Sequence, residues 1–224
     1  MMNDTYRLYD MESIRIAPDG FSFYKPDGRK TVSEAYANTS GALLSTEAPQ
    51  FFGDVAQVTV IAAQRIPMLV PAELYDPAKD RDYLALQYDI ANLGATFTDP
   101  VGAYQAVYFL TKNEVDTLNL LPFPHQTQAE TTLFYRFLCA QGNPAALFVA
   151  ANSEHTDIVA EQKGEILLMN RFRPAEPEDT LYHVLNVIKQ CNLRQPSLYL
   201  RQFGDGGRKL PQLLKTYNLN PIIL

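Results

Sequence analysis

Little in these 224 residues is set aside for any one chemistry. There are two cysteines, Cys139 and Cys191, and neither has a CxxC neighbour or a ligand-like spacing. Each falls on the apolar side of a helical pattern, so buried, reduced thiols and a reducing compartment are expected. The histidines, His125, His155 and His183, share no ligand spacing, which argues against a zinc site. Cations are outnumbered, 19 Lys and Arg against 25 Asp and Glu, and they are scattered apart from pairs such as Arg29-Lys30 and Arg208-Lys209. A nucleic-acid binder needs clustered cations on phosphates, so none is expected here. No window approaches the roughly 18 apolar residues of a membrane span, and Met1 to Asp10 holds acids without an apolar run, unlike a signal peptide. The chain therefore reads as cytoplasmic, with no direct membrane insertion. Ser153 has no GxSxG context, so a hydrolase elbow is unsupported.

What is present is an ordinary globular composition, 46% hydrophobic and 20% charged, in a length that fits one large domain or two small ones. Alternation over Ser13 to Tyr24, broken by Pro18-Asp19-Gly20, predicts a hairpin. A second turn at Pro26-Asp27-Gly28 leads into a third strand over Arg29 to Ala37. A short helix is expected at Ser45 to Phe52, limited by Pro49, then strands at Gln57 to Ala63 and Met68 to Leu74. Asp76-Pro77 is a helix start, and the apolar face Tyr83, Leu86, Ile90, Leu93 predicts a helix ended by Gly94. Gln105 to Leu110 reads as a strand. Thr111 to Glu114 and Thr127 to Glu130 both have capping-box spacing, the second ahead of a helix burying Leu133, Phe134, Phe137 and Leu138. Met1 to Met11 reads as a loose or lightly docked end.

From Ala145 a similar pattern begins. Leu147-Phe148-Val149 is a strand core, and Asp157 to Glu161 and Glu165 to Phe172 are strands joined at Gln162-Lys163-Gly164. Glu176-Pro177-Glu178-Asp179 opens a helix whose stripe is Leu181, Val184, Leu185 and Ile188. A strand at Ser197 to Leu200, a Gly-rich turn at Gly204 to Gly207, a helix carrying Leu210, Leu213, Leu214 and Tyr217, and a terminal strand near Ile222 follow. Meander, helix, strand, helix, strand thus occurs twice, which predicts a duplication with domains 1–143 and 144–224. The fold class is α/β, with mixed sheets and helices packed on their faces.

This order of elements resembles the actin-like ATPase superfamily, which includes sugar kinases, chaperone ATPases and the type IV pilus assembly protein M. The resemblance implies two RNase H-like domains with ligand between them. Ser-Ile-Arg-Ile-Ala-Pro-Asp-Gly-Phe-Ser-Phe from Ser13 and Glu-Asp-Thr-Leu-Tyr-His-Val-Leu from Glu178 are similar to an uncharacterised bacterial family named only domain of unknown function 3822. Superfamily ATPases hold phosphate with two hairpins, each with a strand Asp to organise the metal and a glycine turn whose amides close on the anion. Here Arg15 and Ala17 stand roughly where an acid is wanted, and Pro18 removes a donor. The second hairpin, Ala150 to Thr156, lacks glycine and adds Glu154.

The resulting reading is a non-catalytic actin-like pair that binds an unknown protein partner and uses no cofactor. The alternative is a nucleotide-binding protein or ATPase taking ATP with Mg, using Gly204, Gly206 and Gly207 for the base and Asn152, Ser153 and Thr156 for phosphate. Glu154-His155 with Asp157 could pair as base and orienter, although polar hairpin turns are the ordinary case. An RNase H-type nuclease needs clustered acids on strands, and none is predicted. Tyr6, Tyr9, Phe21 and Tyr24 are expected in the hairpin core and edge.

Overall fold

Ser13–Ala17 forms β1, and all five residues are buried. A strand covered on both faces divides its residues between two environments. Ile14 and Ile16 enter an apolar core, while Ser13, Arg15 and Ala17 lie on the opposite face. β2 (Gly20–Asp27) and β3 (Lys30–Tyr36) complete an antiparallel meander, with Ile14 opposite Phe23 and Ile16 opposite Phe21. β4 (Val58–Ala62) runs parallel to β1 on its other side. The computed structural model describes residues 8–9, 11–18, 20–27, 30–36, 41–152, 154–202 and 209–224.

Between β2 and β4 lies α1 (Gly41–Phe52). It begins four residues before the expected Ser45 and carries Pro49 inside it. Pro49 lacks the amide that would bond back along the helix, but Leu44, Ala48, Phe51 and Phe52 all bury in the core of the first sheet. That burial holds the helix through the proline, and Gly53, at φ +66°, closes it with a bond from its amide to the Pro49 carbonyl.

An insertion follows β4. β5 (Met68–Pro71), β6 (Leu93–Val101) and β7 (Tyr104–Thr111) form a small antiparallel sheet in the order β5-β7-β6. The long helix expected from Asp76 to Gly94 is instead a 3-10 turn at Pro77–Lys79 and α2 (Asp80–Ala85). Asp76 does cap the start, accepting from the Ala78 amide. Leu93 and Gly94 belong to β6, with Gly94 at an irregularity in the β6–β7 register. A Cβ on Gly94 would lie 2.8 Å from the Thr111 carbonyl and the Lys112 nitrogen, so this glycine serves a close backbone approach and not a helix end. α3 (Lys112–Leu118) opens with the expected capping box, Thr111 with Glu114.

β8 (His125–Ala129) then joins the first sheet parallel to β4, giving the order β3-β2-β1-β4-β8. The capping box expected at Thr127 to Glu130 is not formed as such: the residues before Glu130 are strand, and its carboxylate is taken by Arg15. α4 (Glu130–Gln141) follows.

The second sheet repeats the first. β9 (Ala145–Ala151), β10 (Thr156–Gln162) and β11 (Glu165–Phe172) form an antiparallel meander, and β12 (Ser197–Gln202) and β13 (Ile222–Ile223) lie parallel to β9. The order β11-β10-β9-β12-β13 matches that of the first sheet in sequence and in polarity. α5 (Pro177–Gln190) and α6 (Leu210–Thr216) cover one face. On α5, Leu181, Val184 and Val187 are buried, and Leu185 and Ile188 only partly so.

The chain divides by contacts into two units, Met1–Thr132 and Leu133–Leu224. The expected burial holds for the aromatic residues and fails for the two cysteines. Leu8 and Tyr9 are buried at 8% and 2% exposure, so this part of the N-terminal segment is docked, and Tyr9 lies in the core as expected. Phe21 and Tyr24 are buried as expected, while Tyr6 lies outside the described residues. Cys139 is exposed and Cys191 partly so, both free. Cys139 sits one position round α4 from Leu138, which turns it by about 100° off the buried stripe.

Candidate functional site

In open α/β sheets ligands collect at the carboxyl ends of parallel strands. In the second unit that end is the turn from β9 to β10. Asn152 follows β9, and its Oδ1 accepts from the amides of Glu154 at 2.8 Å and His155 at 2.7 Å. Its own amide donates to the His155 carbonyl at 3.0 Å. Thr156 opens β10, fully buried, with its hydroxyl 3.3 Å from that of Thr180 on α5. Ser153, Gly204, Gly206 and Gly207 lie outside the described residues. A hollow of about 190 Å³ is bordered by Asn152, Glu176 and Thr180. The helix that faces it starts with Glu176 as cap and Glu178 and Asp179 in its first turn.

His155 and Asp157 do not form a base-orienter pair. Their side chains approach only to 3.9 Å, beyond hydrogen-bond reach. Asp157 instead takes the fork of Arg171, its direct cross-strand partner, at 2.6 and 2.8 Å.

In the first unit the second face of β1 holds a buried charge pair. Arg15 is bidentate on Glu130, Nε to Oε1 at 2.6 Å and Nη2 to Oε2 at 3.2 Å, with side-chain exposures of 4% and 2%. The Tyr9 hydroxyl also donates to Glu130. Burial works against the guanidinium charge, but the Glu130 charge and hydrogen bond, together with the neighbouring Tyr9 and Tyr24, outweigh it and hold the Arg15 pKa above its ordinary value.

At the ends of β1 and β4 an open cleft of about 470 Å³ is lined by Ile16, Ala17, Pro18, Arg65, Asn113, Glu114 and Thr117 among others. Arg65 is fixed from two directions. Its Nη1 donates to both Glu114 oxygens, at 3.2 and 3.0 Å, and its guanidinium carbon lies 4.6 Å from the Phe109 ring centre. The sequence reading missed this cleft. Glu114 was visible as the capping residue of α3, but nothing in the chain order links it to Arg65, 49 positions away.

A family model described as protein of unknown function (DUF3822) matches residues 5–219. The chain belongs to the DUF3822 family. Comparison with curated proteins finds no match. Among solved structures, a Bacteroides thetaiotaomicron protein with actin-like ATPase fold and unknown function is 20% identical over 100% of this chain and 94% of its own, with a TM-score of 0.71. A PilM-PilN type IV pilus biogenesis complex matches at 12% identity over 97% of this chain and 89% of that one, TM-score 0.61. The ethanolamine utilization protein EutJ from Carboxydothermus hydrogenoformans matches at 8% identity over 95% and 83%, TM-score 0.55. At these identities the likeness is one of fold, and this DUF3822 protein has the actin-like fold. Among the described residues no helix is long and apolar enough to cross a membrane. No group of three or more His, Cys, Asp or Glu is placed among them to hold a metal ion.

Proposed function

We propose that this DUF3822 protein is a non-catalytic actin-like module that acts in the cytoplasm by binding another protein, without ATP or Mg. The observation that carries the reading is the closure of the β9–β10 turn on itself. A phosphate cradle needs free backbone amides aimed at the anion. The amides of Glu154 and His155 point instead at Asn152 Oδ1, and the amide of Asn152 points at the His155 carbonyl. The acids at the start of α5 add charge of the sign that repels phosphate. In the first unit, β1 carries a cation already paired with Glu130 where the superfamily resemblance implies a metal-organising acid. Phosphoryl transfer depends on positioned positive charge and amides, and the amides of Asn152, Glu154 and His155 at the β9–β10 turn are already taken. A protein partner is the favoured occupant because a fold of this kind stands in a protein complex in the PilM-PilN structure.

Calorimetry and thermal shift with Mg-ATP, Mg-ADP and Mg-GTP test the reading. We expect no saturable heat and no shift in unfolding temperature. Micromolar binding accompanied by nucleotide turnover would overturn it.

A further inference from the structure

We propose that the cleft at the ends of β1 and β4 is a binding site for a monocarboxylate, received by Arg65. A guanidinium presents two edges. Nη1 of Arg65 alone serves both Glu114 oxygens, and among the described residues nothing accepts from Nε or Nη2. Those two N–H groups form the parallel fork that matches a carboxylate. The fork is held in advance: Glu114 is itself anchored by the Thr111 amide at 2.7 Å, and Phe109 lies against the guanidinium. Pre-positioning lowers the entropy lost on binding. Arg65 is 24% exposed and borders the cleft, so the ligand can reach it.

The rest of the cleft narrows the class. Its volume of about 470 Å³ is that of a small-molecule or short-peptide site. Pro18, exposed at the cleft, offers an apolar contact for a short hydrocarbon side chain, Ile16 and Ala17 border the cleft but are themselves buried, and Asn113 and Thr117 supply polar groups. Glu114 also lines the cleft and already offsets the charge of Arg65, so recognition rests on the hydrogen-bonding fork, and a phosphate dianion is repelled more strongly than a single carboxylate. The cleft borders the first of the two superfamily phosphate turns at Ala17 and Pro18, but the ligand is held by Arg65, which lies outside that turn.

The test is titration of the full chain with N-acetyl-leucine, its amide N-acetyl-leucinamide, and the acetylated tripeptide Ala-Gly-Leu with a free carboxyl end. N-acetyl-leucine should bind saturably at or below about 1 mM, and the uncharged amide at least about tenfold more weakly, in line with a charge-assisted hydrogen bond. R65Q and R65K should each lose about tenfold or more for the acid, R65K because a lysine keeps the charge but not the fork. If the tripeptide binds better than the single residue, the natural source is a chain terminus; if it binds equally or worse, the source is a free acid. Equal binding of acid and amide, or no binding of either acid, overturns the proposal. The acid-amide comparison uses the unmodified protein, so it holds even if an Arg65 variant folds poorly.

Discussion

Arg15→Met isolates the strongest electrostatic commitment in the fold. The substitution keeps an unbranched side chain of similar reach in β1 but removes the cation facing Glu130. Glu130, 2% exposed, then loses that cation while its carboxylate stays out of water, with the Tyr9 hydroxyl among its remaining partners. Breaking one side of a buried ion pair costs about 3–5 kcal/mol. The chain has no tryptophan, so urea unfolding is best followed by circular dichroism. Two units make two transitions possible, and only the transition that reports the first unit should move.

The same variant carries a pH signature. With the cation gone, burial raises the Glu130 pKa above the unfolded value of roughly 4.3. A carboxyl raised in the folded state gives its full contribution below the unfolded pKa and loses it as pH rises through the folded one. The deficit of Arg15→Met relative to the parent should therefore shrink on acidification from pH 7 toward pH 4. Adding Glu130→Leu should recover most of the loss at pH 7, because a buried pair replaced by apolar groups is often neutral. A loss under about 1 kcal/mol for Arg15→Met, or a double variant no better than the single, would refute the assignment of Arg15–Glu130 as a coupled buried pair.

Gly94→Ala should lower stability by about 1–3 kcal/mol, since the new methyl meets the backbone at Thr111 and Lys112 at 2.8 Å and neither can swing aside; a thermal melt within 1 °C of the parent counts against the close-approach account. Leu181→Ala, at 6% exposure, should cost about 2–5 kcal/mol in urea unfolding, and Leu185→Ala, only partly buried, clearly less; the reverse ranking would mean that α5 is rotated. Asn152→Ala frees the amides of Glu154 and His155 and should cost about 1 kcal/mol, read by urea midpoint. Burial, followed by contact with Cys139, pushes the Tyr135 hydroxyl up to about 12. A tyrosine raised in the folded state loses its contribution as pH climbs from its unfolded value near 10 toward 12, so Tyr135→Phe should flatten the fall in urea midpoint across that window.

Most of the strands were legible: the first meander alternates, with Ile14, Ile16, Phe21 and Phe23 facing one core, and the second is marked by the unbroken apolar run Leu147-Phe148-Val149. β8 was not, because His-Gln-Thr-Gln-Ala has no apolar alternation, and its place is set by pairing with β4. The failed helix through Leu93 shows a different limit. Tyr83, Leu86, Ile90 and Leu93 do recur at helical spacing, yet Leu86 is 80% exposed and Leu93 is strand. A glycine past an apolar stripe looks the same whether it ends a helix or lets two backbones meet. At the candidate sites, single residues were visible and their partners were not. Asn152 could be picked out as polar, but a turn-closing asparagine and a ligand-facing one are the same letter. Arg65 was invisible as a site because Phe109 and Glu114 reach it only through the inserted sheet.

The two sheets share strand order and polarity, yet their central strands differ on the second face. β1 places Arg15 there, answered by Glu130. β9 places Phe148 there, stacked on Phe134 at 4.1 Å and met edge-on by Phe137 at 5.6 Å. One face is held by a charge pair whose geometry must be met closely, the other by aromatic packing that tolerates small shifts. A duplicated phosphate grip would need like chemistry at the two strand ends, an acid and open amides at each. The repeats share the hydrogen-bonded frame and differ in the side chains on the second face of the central strand. A scaffold under that pattern is free to place a different ligand in one unit only, and the Arg65 cleft, built partly from the insertion that the second unit lacks, is where such asymmetry has a physical basis.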